Sequence, residues 1–295
     1  MGDMTAPGGS GFDHHGLPSP WKQSAEGARA YHPDFAALAE GLAEPLQQAK
    51  VFSSGHWAEA LDAWIARELR ISGFPADEVW PRPFRPRILP RELSMLLAKA
   101  PAPLREEIEK LISKTPGISS ADARVLGKAY VKQVDVVIAQ WSRGPELMVS
   151  TKTMMSSFRK NLPNRFEEAY GDAANLRGRY PLASIGFVFA MRASVLNEPG
   201  TLQKALDMLR KLKDASTYDA TGLLLFDYPD DPDDLDVVSV LEDEVPLDLR
   251  AGKFFDDLIG KVLSVAPVDI HVAVRENREG VSLHLPEVSE LQESE

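Results

Sequence analysis

The sequence predicts an α/β protein: a central mixed sheet carrying Asp135 and Lys152, flanked by helices, with a helical N-terminal region attached. Three observations predict it. Leu147, Val149 and Thr151 alternate with Glu146, Met148, Ser150 and Lys152 in the period-two pattern of a strand, which puts Ser150 and Lys152 on one face. The runs Val131 to Trp141, Ala183 to Arg192 and Gly222 to Tyr228 are apolar and β-rich. Between and before these runs, apolar residues recur at helical spacing.

Taken in order, residues 1–31 are rich in Gly, Pro and Ser and read as a tail, in which the adjacent His14 and His15 have no visible partners for a metal. Residues 32–115 read as the helical region. Phe35, Leu38, Leu42 and Leu46, then Trp57, Leu61, Trp64 and Ile65, mark its helical core positions, and Leu93 to Ile112 is helical again. Between them Pro81, Pro83, Pro86 and Pro90 break any helix and carry Arg82, Arg85, Arg87 and Arg91, which makes a stiff arginine loop. Such a loop is either a phosphate grip or a solvated linker. Residues 116–286 form the expected core domain, with a helix cap before Ala121, and residues 287–295 an acidic tail.

Within the core, Asp135 is a lone carboxylate among Val134, Val136 and Val137. Burying it unpartnered is costly, so it is either paired or placed at the mouth of a site. Asn164 reads as an N-cap for a helix reaching about Asn175. At about 100° per residue, Phe166, Ala169, Ala173 and Leu176 form its apolar stripe, edged by Arg165, Glu168, Asp172 and Asn175, while Glu167 points to solvent. Leu202, Leu206 and Leu209 mark a further helix, as does the stretch from Phe254 to Val262; Val268 to Val274 reads as a strand. The acidic run Asp227 to Asp236 lacks the Gly and terminal Glu of a calcium loop and reads as a solvated loop.

An Asp on one strand, a small residue then x then Lys on the next, an acid-bearing helix and another strand resemble the PD-(D/E)xK nuclease superfamily, best known from type II restriction endonucleases. The resemblance spans roughly Val131 to Arg192. It departs from the usual pattern in having Val134 where a Pro precedes the Asp, and in having Ser150 where an acid precedes Thr151 and Lys152. One subgroup with that departure moves the second acid to the following helix. The resemblance therefore implies a restriction-endonuclease-like sheet, catalytic Asp135, Ser150, Lys152 and Glu168 (with Glu167 the substitute), and a metal held by Asp135 and Glu168. Glu146 is left out, since six residues of strand at about 3.3 Å each separate it from Lys152.

The implied activity is Mg2+-dependent hydrolysis of DNA, with Mn2+ as the other ion, in a restriction or related defence nuclease. The alternative is a catalytically silent module of the same fold that binds DNA or a protein. Charge bears on the partner. The formal net charge is −11, yet Arg82 to Arg192 holds 19 Lys and Arg against 10 Asp and Glu, so the rest of the chain carries −20. A basic block at the candidate site, with Arg159, Lys160 and Arg165 beside it and Arg82, Arg85 and Arg87 upstream, is what double-stranded DNA would meet. Cutting both strands is most simply done by two-fold protomers, so a homodimer is expected. Ser150 and Lys152 are separated by one residue rather than the two of an S-x-x-K serine acyltransferase, and no P-loop or G-x-G-x-x-G is present, which leaves nucleotide and dinucleotide chemistry without an anchor. With no cysteine, no apolar run near 20 residues and a polar N-terminus, the expected setting is soluble and cytoplasmic, without a membrane.

Overall fold

The computed structural model describes residues 18–23, 27–48, 54–83, 86–115, 122–229 and 238–283. The centre is a mixed six-stranded sheet. In chain order its strands are β3 (Val79–Trp80), β6 (Val136–Gln140), β7 (Gly144–Met154), β8 (Ser184–Arg192), β9 (Ala220–Asp227) and β10 (Ser239–Val240). In space the order is β10-β9-β8-β7-β6-β3. The central β7, β8 and β9 are parallel, and the other pairings are antiparallel.

Parallel neighbours need crossovers, and helices α5 (Phe158–Arg177) and α6 (Pro199–Asp214) supply them. Both pack on one face, where Phe158, Leu162, Phe166, Leu206 and Leu209 meet Met148, Phe187, Phe189 and Leu225. The other face is covered by α1 (Phe35–Gln48), α2 (Ser54–Ile71) and α7 (Ala251–Val265), through Leu38, Trp57, Leu61, Trp64, Phe254 and Leu258 against Leu147, Val149, Val188 and Leu224. A sheet covered on both sides explains why β8 and β9 read as continuous apolar runs rather than alternating ones. The N-terminal helices and β3 thus share the sheet's own core. Among the described residues, no helix is long and apolar enough to cross a membrane.

Several expectations change. Part of the expected tail is structured: Trp21–Gln23 (β1) and Arg29–Tyr31 (β2) form a hairpin that buries Trp21 and Tyr31, the latter stacked on Phe255 with ring centroids 4.8 Å apart. His14, His15, the tip of the acidic run and the C-terminal tail lie outside the described residues. The helical stretch after Leu93 is two helices, α3 (Arg91–Lys99) and α4 (Ala102–Lys114), divided at Pro101. The cap position before Ala121 lies outside the described residues, and the next described element is a strand, β4 (Ala123–Leu126), paired with β5 (Val131–Val134). The run from Val131 to Trp141 is therefore two strands, broken at Asp135.

Helix α5 begins at Phe158, ahead of the expected cap at Asn164, and keeps Pro163 inside it. Proline in a helix interior costs about 3 kcal/mol. Phe158 and Leu162, both buried, extend the apolar stripe by two further turns. At roughly 1.5–3 kcal/mol per fully buried large side chain, their burial outweighs the proline. The stretch Val268 to Val274 is not a strand. It is a turn leading into α8 (Val272–Glu279), and Arg275 holds the turn by donating to the carbonyls of Leu263 at 2.8 Å and Ala266 at 2.9 Å.

Candidate active site

Strand β7 is the spine of the site, because its alternation feeds both faces of the sheet. Leu147 and Val149 enter the layer under α2, and Met148 and Met154 the layer under α5. Ser150 and Lys152 therefore face α5 and Thr151 faces α2. The antiparallel register pairs Val136 with Val149, which brings Asp135, the residue just before β6 begins, level with Ser150. There the chain turns away into β5, and the Asp135 carboxylate takes the amide that a continuing ladder would have used: Thr151 N donates to Asp135 Oδ2 at 2.8 Å. The Thr151 hydroxyl donates in the other direction, to Oδ1 of the buried Asp62 on α2, at 2.7 Å. One threonine thus holds two carboxylates from distant parts of the chain. Each carboxylate keeps its second oxygen free of any hydrogen bond among the described residues.

Burial raises the Asp62 carboxyl well above the ordinary carboxylate range, the charge of Asp135 raises it further, and the Thr151 hydroxyl only partly opposes them. Asp135 is raised as well, by desolvation first, against the pull of the Thr151 amide and the ammonium groups of Lys152 and Lys132. Two carboxylates drawn out of bulk water resist ionising together. A further positive charge beside them would favour the ionised form of both.

A second cluster closes the site on the α5 side. Asp172 is buried, with Oδ1 accepting the Tyr130 hydroxyl at 3.1 Å and Oδ2 paired with Lys132 Nζ at 2.5 Å. One turn on, Asn175 Oδ1 accepts the amide of Ala129 at 2.8 Å, its Nδ2 donates to the Tyr130 carbonyl at 3.1 Å, and its backbone carbonyl accepts the amide of Lys128 at 2.8 Å. This latch pins the β4–β5 hairpin to α5. It leaves no room for a side chain at residue 127, since a Cβ on Gly127 would lie 2.2 Å from the Asn175 amide nitrogen. Burial and the Asp172 carboxylate raise the Tyr130 phenol.

The structure brings Asp135, Ser150 and Lys152 together as the sequence predicts. Glu168 does not join them. It lies on the exposed part of the expected helix edge, one turn before Asp172, paired with Arg165 at 3.1 Å. The edge is the one read from the sequence. The hairpin covers only its later turn, so Asp172 is the acid whose charge reaches Asp135. Glu167 is exposed, as expected. Glu146 is bound to Arg143 at 2.8 Å and His271 at 3.2 Å in a separate network.

Among the basic residues, Arg159 and Lys160 are exposed in the first turn of α5, whereas Arg165 sits further along the helix in its pair with Glu168. Arg82 is not presented to solvent. It is buried and donates to the Pro86 carbonyl at 3.1 Å, so its guanidinium holds the Pro-rich loop together instead of gripping a ligand. Arg87 lies 3.6 Å from Glu59, and Arg85 lies outside the described residues.

No protein-family model, curated protein or solved structure matches this chain. Its site therefore has to be read from its own groups.

Sequence reasoning missed Asp62, Lys132 and Tyr130. A signal for Asp62 was present: it falls inside the apolar arc of Trp57, Leu61, Trp64 and Ile65, where a lone carboxylate raises the same question as Asp135. Nothing local marks Lys132 or Tyr130, whose places depend on how the hairpin docks. Among the described residues, no three His, Asp or Glu side chains come together as a cation site. The Asp62 and Asp135 pair offers two hard oxygen donors, the number that magnesium commonly takes from a protein.

Proposed function

We propose that this chain is a magnesium-dependent DNA endonuclease with a restriction-endonuclease-like fold of the PD-(D/E)xK kind, acting on double-stranded DNA as a homodimer. The observation that supports it most is the suspension of Asp135 and Asp62 from Thr151, with Lys152 as the next residue of the same strand. Two desolvated carboxylates with raised proton affinity and one uncommitted oxygen each suit a hard divalent ion, Mg2+ or Mn2+. Asp62 thus takes the place that the resemblance implied for Glu168. Asp172 is not counted as a ligand, because both its oxygens are engaged by Tyr130 and Lys132.

Magnesium, when bound, supplies the charge that acidifies a water and offsets negative charge on the phosphate oxygens. Asp135 and Asp62 would hold the ion. Lys152 sits close enough to act on Asp135 and meets the charge that gathers on phosphorus oxygens as water adds and the ester P–O bond breaks. Thr151 fixes both carboxylates relative to the strand, so their geometry is set before substrate arrives. Asp172 positions Lys132, and through the hairpin latch it shapes the wall beside Asp135.

A second reading, a module of the same fold that holds DNA without cutting, is favoured by the buried Ser150 in the place of an acid and by the self-satisfied Lys132–Asp172–Tyr130 cluster. Incubating supercoiled plasmid with the full chain in Mg2+ or Mn2+ decides between them. Nicking or linearisation that EDTA and Lys152→Ala both abolish supports the nuclease. Binding of the plasmid with no cleavage by the wild type in either ion supports the silent module.

A further inference from the structure

Beyond the carboxylate site, the face carrying α5 and α6 holds a crevice of about 740 Å³ lined by Arg159, Glu198, Pro199, Gly200, Thr201 and Lys204. Its position comes from topology. Helix α5 follows β7 and α6 follows β8, and the two strands are parallel, so both helices start at the carboxyl ends of the strands. That edge is where open α/β sheets receive ligands.

Both helix starts are free to bind. Neither has a side-chain cap or an acidic residue in its first turn. Pro199 contributes no N–H, and the amides of Thr201 and Leu202 turn back to the Glu198 carbonyl at 2.8 and 3.0 Å. The Gly200 amide is then the donor left over in the first turn of α6. A Cβ built on Gly200 would meet nothing within 4 Å, so backbone there is open to close approach.

Two further observations point to an anion. Arg159 and Lys204 are exposed on the two walls, and neither has an ion pair or hydrogen bond among the described residues. Thr201 is about nine-tenths buried and lines the crevice, yet its hydroxyl has no hydrogen-bond partner among the described residues. That hydroxyl is uncommitted among the described residues and can donate to a ligand oxygen seated in the crevice. Glu198 lines the same crevice and opposes an anion, so the two cations leave the lining one positive charge in excess.

We propose that this crevice is a phosphate-binding subsite. The Gly200 amide, the Thr201 hydroxyl, Lys204 and Arg159 receive a phosphate group between the first turns of α5 and α6, where amides and helix dipoles favour negative charge. A backbone phosphate of DNA and the phosphate of a small ester share this chemistry. The subsite stands on its own geometry and does not depend on cleavage.

The test is calorimetric titration of the full chain with inorganic phosphate in the absence of divalent ions. The wild type should bind saturably at one site. Lys204→Ala should weaken binding about tenfold, as expected for loss of a charge-assisted contact. Thr201→Val should weaken it several-fold without lowering the urea midpoint measured in phosphate-free buffer, a combination that a merely structural threonine would not give. Glu198→Gln should tighten binding. No saturable binding by the wild type, or equal affinities in Lys204→Ala, Thr201→Val and the wild type, would overturn the proposal.

Anisotropy with labelled duplexes of unrelated sequence, in EDTA, separates the two sources. Equal weakening of all duplexes by Lys204→Ala identifies a backbone phosphate, whereas unchanged duplex affinity beside lost phosphate binding identifies a small phosphorylated ligand. Failure of the nuclease reading would appear separately, as wild-type DNA left uncut.

Discussion

Replacing Asp62 by asparagine should stabilise the metal-free protein at neutral pH while removing the DNA cleavage proposed for it. Asparagine has the shape of aspartate and keeps an oxygen to accept the Thr151 hydroxyl, which now donates at 2.7 Å, so packing is conserved and only the charge is lost. That charge is buried and faces Asp135, and both effects raise the Asp62 carboxyl well above its usual range. Two hydrogen bonds to one threonine put the carboxylates about 6 Å apart; at an effective dielectric of about 20, their repulsion when both are ionised is roughly 2–3 kcal/mol.

The direction of the shift sets the pH dependence. The folded-state value lies above the unfolded value, so wild-type Asp62 contributes most at low pH, and this contribution is lost as pH rises from about 4 through the raised folded value. Asparagine does not titrate there. The advantage of the variant is therefore absent near pH 4 and grows towards pH 8 to roughly 2 kcal/mol, about 3 °C in Tm for a chain of this size. Urea melts of wild type and Asp62→Asn in EDTA, from pH 4.5 to 8, measure it. A difference that does not change with pH, or a variant less stable at pH 8, would refute the account of Asp62 as a charge held against Asp135. Added Mg2+ should narrow the gap by binding only the wild type.

The same geometry sets other outcomes. Glu168→Ala and Glu167→Ala should both cleave plasmid DNA at near wild-type rates, since both carboxylates are exposed and stand apart from Asp135; loss in Glu168→Ala alone would restore it as the helix-borne acid. Asp172→Asn should lower stability by about 1–2 kcal/mol, because it leaves Lys132 without its ion pair, and amide exchange should show faster opening of the hairpin residues 123–134 than of β8. Gly127→Ala should cost about 1–3 kcal/mol by forcing Asn175 off the hairpin, read as a lower urea midpoint. Burial raises Glu68 to about 7, so the stability it contributes below about pH 4 is lost as pH rises through 7. Glu68→Gln should melt with the wild type at pH 4.5 and above it at pH 8, and melts that run parallel would count against the burial of this group.

Much of the sheet was legible in the sequence because strand periodicity is local. The alternation around Leu147 to Lys152 assigns Ser150 and Lys152 to one face, and the covered strands β8 and β9 show as apolar runs. The edge of α5 carrying Asp172 and Asn175 was legible for the same reason, since a helical wheel needs only neighbours in sequence. Helix starts were less legible: Asn164 looks like a cap, and only the burial of Phe158 and Leu162 against Phe187 and Phe189 carries the helix across Pro163.

Tertiary structure alone decided which carboxylates meet. Asp62 and Asp135 lie 73 residues apart and touch the same threonine because α2 packs on the face of β7 opposite α5. The choice between Glu168 and Asp172, one turn apart on the same edge, rests on where the β4–β5 hairpin lands. Arg82 likewise turned from candidate ligand contact to buried loop brace through a fold of its own loop. In each case the deciding free energy is a desolvation or a pairing between segments distant in the chain. A sequence pattern records which side of an element is apolar; it does not record which distant partner lies against it.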